Sequence, residues 1–118
     1  IRIRKIFGGG MRQVGYLAAA GIYALDNHIN RLKDDHKKAQ EIGEVMSSLS
    51  QIKRVEPIQT NIIIFELHSH IDEVSFINKL SINDIHIIGM GGGKLRMVTH
   101  LDYTDSMHDK LLSLVRQM

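Results

Sequence analysis

Ile22, Leu25, Ile29, Leu32, His36, Ala39, Ile42, Met46 and Leu49 recur every three or four residues, with Lys33, Asp34, Lys37, Lys38 and Glu41 on the other side. An apolar stripe of that period is the mark of a helix that lays one face on a core. The spacing predicts a helix over about 13–47, interrupted near 27–30. Its first turns differ in kind. Leu17-Ala18-Ala19-Ala20-Gly21 is small and apolar all round, which fits burial on several sides or close packing against another subunit.

Beyond Pro57 the period changes. Ile62-Ile63-Ile64-Phe65 is β-branched and aromatic, predicting a buried strand over 60–67. Ser69 stands as the N-cap of a short helix that carries Val74, Ile77 and Leu80 on one face. A second strand is expected over 85–88, ended by Gly89-Met90-Gly91-Gly92-Gly93, and a third over 95–101. Neighbouring strands joined by a glycine turn imply antiparallel pairing. Thr104 caps a last helix whose face is Met107, Leu111, Leu114 and Met118. Long helix, β, α, β, β, α is the order of an α+β layer, an antiparallel sheet with helices on one face.

Composition narrows the function classes. A length of 118 residues fits one compact domain. Fifteen Lys+Arg against 13 Asp+Glu leave only +2, not the basic field of a nucleic-acid binder. The absence of cysteine excludes disulfides, thiolate metal sites and a Cys nucleophile, and makes the cytoplasm the default compartment. No apolar run reaches the roughly 18 residues of a membrane span. Ile1 stands first, not Met, and Ile1-Arg2-Ile3-Arg4-Lys5 reads as an element in mid-course, so the chain is expected to be cut from something longer.

Two segments are candidates for chemistry. In Lys5-Ile6-Phe7-Gly8-Gly9-Gly10-Met11-Arg12-Gln13, glycines ahead of a helix leave its first N–H groups free, and Lys5, Arg12 and the helix dipole favour an anion such as phosphate. The plainer reading is a flexible hinge flanked by surface cations, since no P-loop or dinucleotide spacing is present. In Lys94-Leu95-Arg96-Met97-Val98-Thr99-His100, alternation puts Arg96, Val98 and His100 on one face and Leu95, Met97 and Thr99 on the other. The planar fork of Arg96 matches a carboxylate; the plainer reading is a surface ion pair to Asp102. Seven histidines raise a metal question, but His68 and His70 lack a third ligand of defined spacing, and His28 and His36 are eight apart, so no metal site is expected. No serine sits in a nucleophile elbow and no lysine is marked as a Schiff-base former, so chemistry that needs a covalent anchor must find it outside this chain.

At this point the residues become familiar. Arg4-Lys5, Gly8-Gly9-Gly10-Met11-Arg12-Gln13, Leu17-Ala18-Ala19-Ala20-Gly21 with Ala24-Leu25, Asp35-His36, Thr60-Asn61, and Arg96-Met97-Val98-Thr99-His100-Leu101-Asp102 together resemble the C-terminal part of the threonine aldolases. These are pyridoxal-phosphate enzymes of the aspartate-aminotransferase fold type, grouped with the β-eliminating lyases. The resemblance implies the small C-terminal domain of a fold type I enzyme. Residues 1–50 would hold the end of the large domain and a long connecting helix, and 51–118 the small α+β domain. Members cleave threonine or allo-threonine to glycine and acetaldehyde. The resemblance places the Schiff-base lysine before Ile1, so the chain alone is expected to be inactive. It makes Lys5 and Arg12 the cations near the cofactor phosphate, reached across a subunit interface of a homodimer or homotetramer, and Arg96 the arginine that holds the substrate carboxylate. No nucleic-acid or membrane partner is implied. Two alternatives stay open: another fold type I enzyme, working by transamination or β-elimination, and a non-catalytic assembly domain. The run Gly89–Gly93 is richer in glycine than the family pattern.

Overall fold

A computed structural model describes residues 2–118; Ile1, on which the expectation of an interrupted opening rests, lies outside the described residues. The chain divides after Leu32 into two compact units. The division falls within the stretch that periodicity joins into one helix.

The first unit holds α1 (Arg2–Ile6) and α2 (Gly15–Asn27). The end of α1 explains the glycines. Gly8, at φ +78°, donates its N–H to the Lys5 carbonyl, and Gly9 donates to the Arg4 carbonyl at 2.7 Å. This is the Schellman closure of a helix C-terminus, which requires a left-handed residue at the position of Gly8. Expected to free N–H groups ahead of the next helix, Gly8 and Gly9 instead spend theirs on the preceding one. The following helix starts at Gly15, not at the expected residue 13, because Gln13 is itself left-handed at φ +46°. Neither α1 nor α2 buries a residue among those described.

The second unit holds α3 (Leu32–Ser47), β1 (Ile52–Val55), β2 (Ile62–Leu67), α4 (Glu73–Ser81), β3 (Ile88–Gly91), β4 (Lys94–Val98) and α5 (Asp105–Val115). The sheet order is β1-β2-β4-β3 and every neighbouring pair is antiparallel. β2, α4 and β3 therefore form a split β-α-β unit with β4 inserted between its strands. Ile63, Phe65 and Leu67 of β2 and Leu95 and Met97 of β4 face the core, where they meet Ala39, Ile42 and Met46 of α3, Phe76 and Leu80 of α4, and Leu111 and Val115 of α5. All three helices supply the buried side of the sheet. The opposite side carries Ile62, Ile64, Glu66, Lys94, Arg96 and Val98, partly or fully exposed.

Several boundaries move for identifiable reasons. β1 goes unpredicted because Ile52-Lys53-Arg54-Val55 is short and bulged, with two exposed cations in its middle, as edge strands often are. The cap of α4 is Asp72, not Ser69; its Oδ2 accepts from the Ser75 N–H at 2.8 Å. β3 begins at Ile88, where the expected strand ends, because the glycines belong to a hairpin and not to a loop. Gly92 and Gly93, at φ +64° and +79°, form the two-residue type I′ turn that matches strand twist. β4 spans 94–98, not 95–101. On α3 the buried stripe starts at Asp35, not His36, and runs through Ala39, Ile42, Gly43 and Met46. On α5 the buried residues are His108, Leu111 and Val115; Met107 is exposed, while Leu114 and Met118 of the expected face are partly buried against the core. Thr104 does cap α5, accepting from the Met107 N–H at 3.3 Å. Among the described residues no helix is long and apolar enough to cross a membrane.

Candidate functional site

Arg96 sits at the centre of β4, between Ile64 of β2 and Ile88 of β3 in register. Strand alternation turns it away from the helices, as Leu95 and Met97 are turned toward them. Its Nε is buried and has no hydrogen-bond partner among the described residues. A buried guanidinium N–H left unmade is costly, and an arginine with its donors free is a receptor for a planar anion. The alternative ion pair is not formed: Asp102 turns to His100, whose Nδ1 lies 3.9 Å from its Oδ2.

Two other cations of this sheet, Lys53 and Arg54, are paired. The bulge in β1 brings Lys53 and Arg54 to the same acid, Glu66, at 2.6 Å and 3.7 Å, and Arg54 also pairs with Glu56 at 2.6 Å. The Lys53 hydrogen bond, with Arg54 and Lys94 nearby, holds the Glu66 carboxyl below the usual range.

Lys5 and Arg12 lie in the first unit, either side of the glycine turn, and both are exposed. The stem of Lys5 runs along the backbone of Gly10, where an added Cβ would stand 2.8 Å from the Lys5 Cγ. Among the described residues neither cation has an ion-pair partner. Lys5 and Arg12 are cations of the kind that hold a phosphate, while the N–H groups of Gly8 and Gly9 are taken by the end of α1. Arg96 belongs to the other unit.

A polar cluster on the helix side of the sheet escapes sequence reading. His108 Nε2 lies 2.7 Å from Glu41 Oε2, and its Nδ1 lies 3.3 Å from the Tyr103 hydroxyl. With Glu41 ionised, Nε2 donates to it and Nδ1 is left to accept from Tyr103. Burial, reinforced by the charge of Asp109, pushes the Tyr103 phenol up to about 12. Lys38 donates to the Tyr103 carbonyl at 3.0 Å and pairs with Asp105 at 2.6 Å. The cluster ties the start of α5 to α3. The available signal was the spacing of His108, Leu111 and Val115. A cavity of about 290 Å³ opens beside it, floored by Ile42, Met97 and Leu111, and does not include Arg96.

The His108 hydrogen bond, assisted by Lys37, holds Glu41 below its usual 4.5. A carboxyl depressed in the folded state contributes stability that is fully present above its unfolded value and lost as pH falls through the folded one. Glu41→Gln is therefore expected to flatten the acid limb of the stability curve below about pH 4.5, as read from denaturation midpoints across pH.

His68 and His70 stack at 5.6 Å, and no group of three or more metal-binding side chains occurs among the described residues.

A family model described as Beta-eliminating lyase matches residues 1–70 of this chain. The chain belongs to the beta-eliminating lyase family. It is 33% identical over 118 residues to low-specificity L-threonine aldolase 1 of Arabidopsis thaliana, covering 98% of this chain and 33% of that protein. It is 61% identical over 44 residues to the low specificity L-threonine aldolase of Escherichia coli, covering 37% of this chain and 13% of that protein. The solved structure of a decarboxylase from Sulfurospirillum multivorans matches 98% of this chain and 36% of its own with a TM-score of 0.67, at 16% identity, a likeness of fold alone. This beta-eliminating lyase chain thus spans about a third or less of the length of these relatives. Its sheet, helices on one side, is the α+β small domain of fold type I.

Proposed function

We propose that this chain is the C-terminal part of a pyridoxal-phosphate-dependent threonine aldolase, with Arg96 holding the substrate carboxylate and Lys5 and Arg12 holding the phosphate of the cofactor. The observation that carries the reading is the buried Nε of Arg96, unpartnered among the described residues, on the side of the sheet away from α3, α4 and α5. The relatives' names supply the reaction class. The cofactor, when bound, supplies an electron sink for carbanion chemistry at Cα.

The chain's own residues bind and orient. A bidentate guanidinium–carboxylate pair fixes two atoms of the substrate at once, so the rotation of the bonds around Cα is set as well as its position. That rotation decides which bond to Cα is aligned for cleavage. Lys5 and Arg12 neutralise a cofactor phosphate reached across a subunit interface. The lysine that anchors the cofactor is placed before Ile1 in this reading, and the chain alone is accordingly inactive. The first unit exposes Phe7, Tyr16, Leu17, Ile22 and Leu25, each by 60% or more, an apolar surface that supports coverage by the rest of the enzyme or by a second subunit of a homodimer or homotetramer.

The test is product analysis on the full-length protein loaded with pyridoxal phosphate. Threonine is expected to yield glycine and acetaldehyde in equal amounts. Formation of a 2-oxo acid with no aldehyde would replace the aldolase reading with β-elimination where ammonia is released and with transamination where it is not.

A further inference from the structure

Glu73, the first residue of α4, touches the turn and the β3 arm of the hairpin that carries Arg96. Its Oε2 accepts from the Gly93 N–H at 3.2 Å. Its Oε1 lies against Gly89, so close that a Cβ there would collide with it, with the Ile77 Cδ1 another 3.6 Å neighbour of that position. Glycine at 89 is what lets a carboxylate reach the backbone of β3. The far end of α4 is anchored in the core by Phe76 and Leu80. The turn is tied to β2 as well, where the Leu67 N–H donates to the Gly93 carbonyl at 2.8 Å.

The hairpin needs such a clip. β4 is fixed to β2 through five residue pairs, whereas β3 is an edge strand with a register shift between Gly89 and Gly91. Glycine-rich strands specify register weakly, and a slip of one residue moves every side chain to the other side of the sheet. For β3 that would remove Ile88 from beside Arg96 and open the flank of the guanidinium to water, where a charged hydrogen bond counts for less.

We infer that Glu73 is a positioning residue for Arg96: it holds β3 in the register that places Ile88 beside the guanidinium. This rests on the reading of Arg96 as the carboxylate holder. In the full-length protein, Glu73→Ala is expected to raise the KM for threonine roughly three- to tenfold with kcat little changed, the pattern of weakened binding shared by ground and transition states. Gly89→Ala, which displaces the carboxylate while leaving it in the sequence, is expected to do the same. Glu73→Gln keeps an oxygen acceptor for the Gly93 N–H and is expected to restore a KM near the parent value. In an Arg96→Ala background, Glu73→Ala is expected to add nothing, because both act on one contact. Amide exchange at Gly93 should accelerate in Glu73→Ala and not in Glu73→Gln.

If Arg96→Ala raises KM but Glu73→Ala lowers only thermal stability, the positioning role is overturned and the Arg96 reading stands. If Arg96→Ala leaves KM unchanged, the site reading itself fails, and the positioning role falls with it. Additive effects of the two substitutions would also overturn it.

Discussion

Arg96→Ala in the full-length protein is expected to raise the KM for threonine roughly ten- to 150-fold, the range that corresponds to the 1.5–3 kcal/mol of a hydrogen bond to a charged group. The size follows from position. Arg96 lies mid-strand, flanked in register by Ile64 and Ile88, with one donor already removed from water and unmatched. In the proposed site the substrate carboxylate supplies the missing acceptor, so removing Arg96 breaks a pair that is partly desolvated in advance. Arg96→Lys keeps the charge but not the planar fork and is expected to fall between the parent and alanine forms. Because the residue lies outside the core and has no ionic partner among the described residues, neither change should unfold the domain. Steady-state kinetics with threonine, beside a thermal melt of each variant, separates binding from stability.

Phe65→Ala is expected to cost about 3–5 kcal/mol of stability, the usual cost of truncating a fully buried aromatic residue. Phe65 is fully buried. It pairs across the sheet with Val55 of β1 and Leu95 of β4, and its ring meets Phe76 of α4 edge to face with 6.1 Å between centroids. Three strands and a helix share that one side chain, so the surroundings have little freedom to collapse into the space left behind. Ile62, three residues earlier and 42% exposed on the other side, is the control, and its truncation should cost far less. Chemical denaturation with an unchanged dependence on denaturant would assign the difference to the native state.

Much of this arrangement is legible in the residues because pattern and chemistry agree. The alternation around Arg96 places it opposite Leu95 and Met97, and the sheet obeys it. Thr104 caps the helix it was expected to cap. What the pattern misses is set by tertiary partners. His108 replaces Met107 on the buried stripe because Glu41 and Tyr103 satisfy both of its ring nitrogens, a compensation that no local period reveals. Asp72 displaces Ser69 as a cap through a hydrogen bond to Ser75 that only the loop geometry decides. The triple glycine at 8–10 reads in sequence as a phosphate candidate or a hinge, and in the fold Gly8 and Gly9 end α1, a role set by the left-handed φ of Gly8. The second glycine run, out of keeping with the family pattern, is a type I′ hairpin clipped by Glu73.

The most direct measurement of the central claim compares threonine with its carboxamide in the parent protein and in Arg96→Ala. The amide retains the hydroxyl, the amino group and the shape, and loses only the charge that Arg96 is proposed to hold. The parent should discriminate against the amide by a factor similar to the loss caused by Arg96→Ala, and the variant should scarcely discriminate at all. Undiminished preference for the carboxylate in Arg96→Ala would show that another residue holds it.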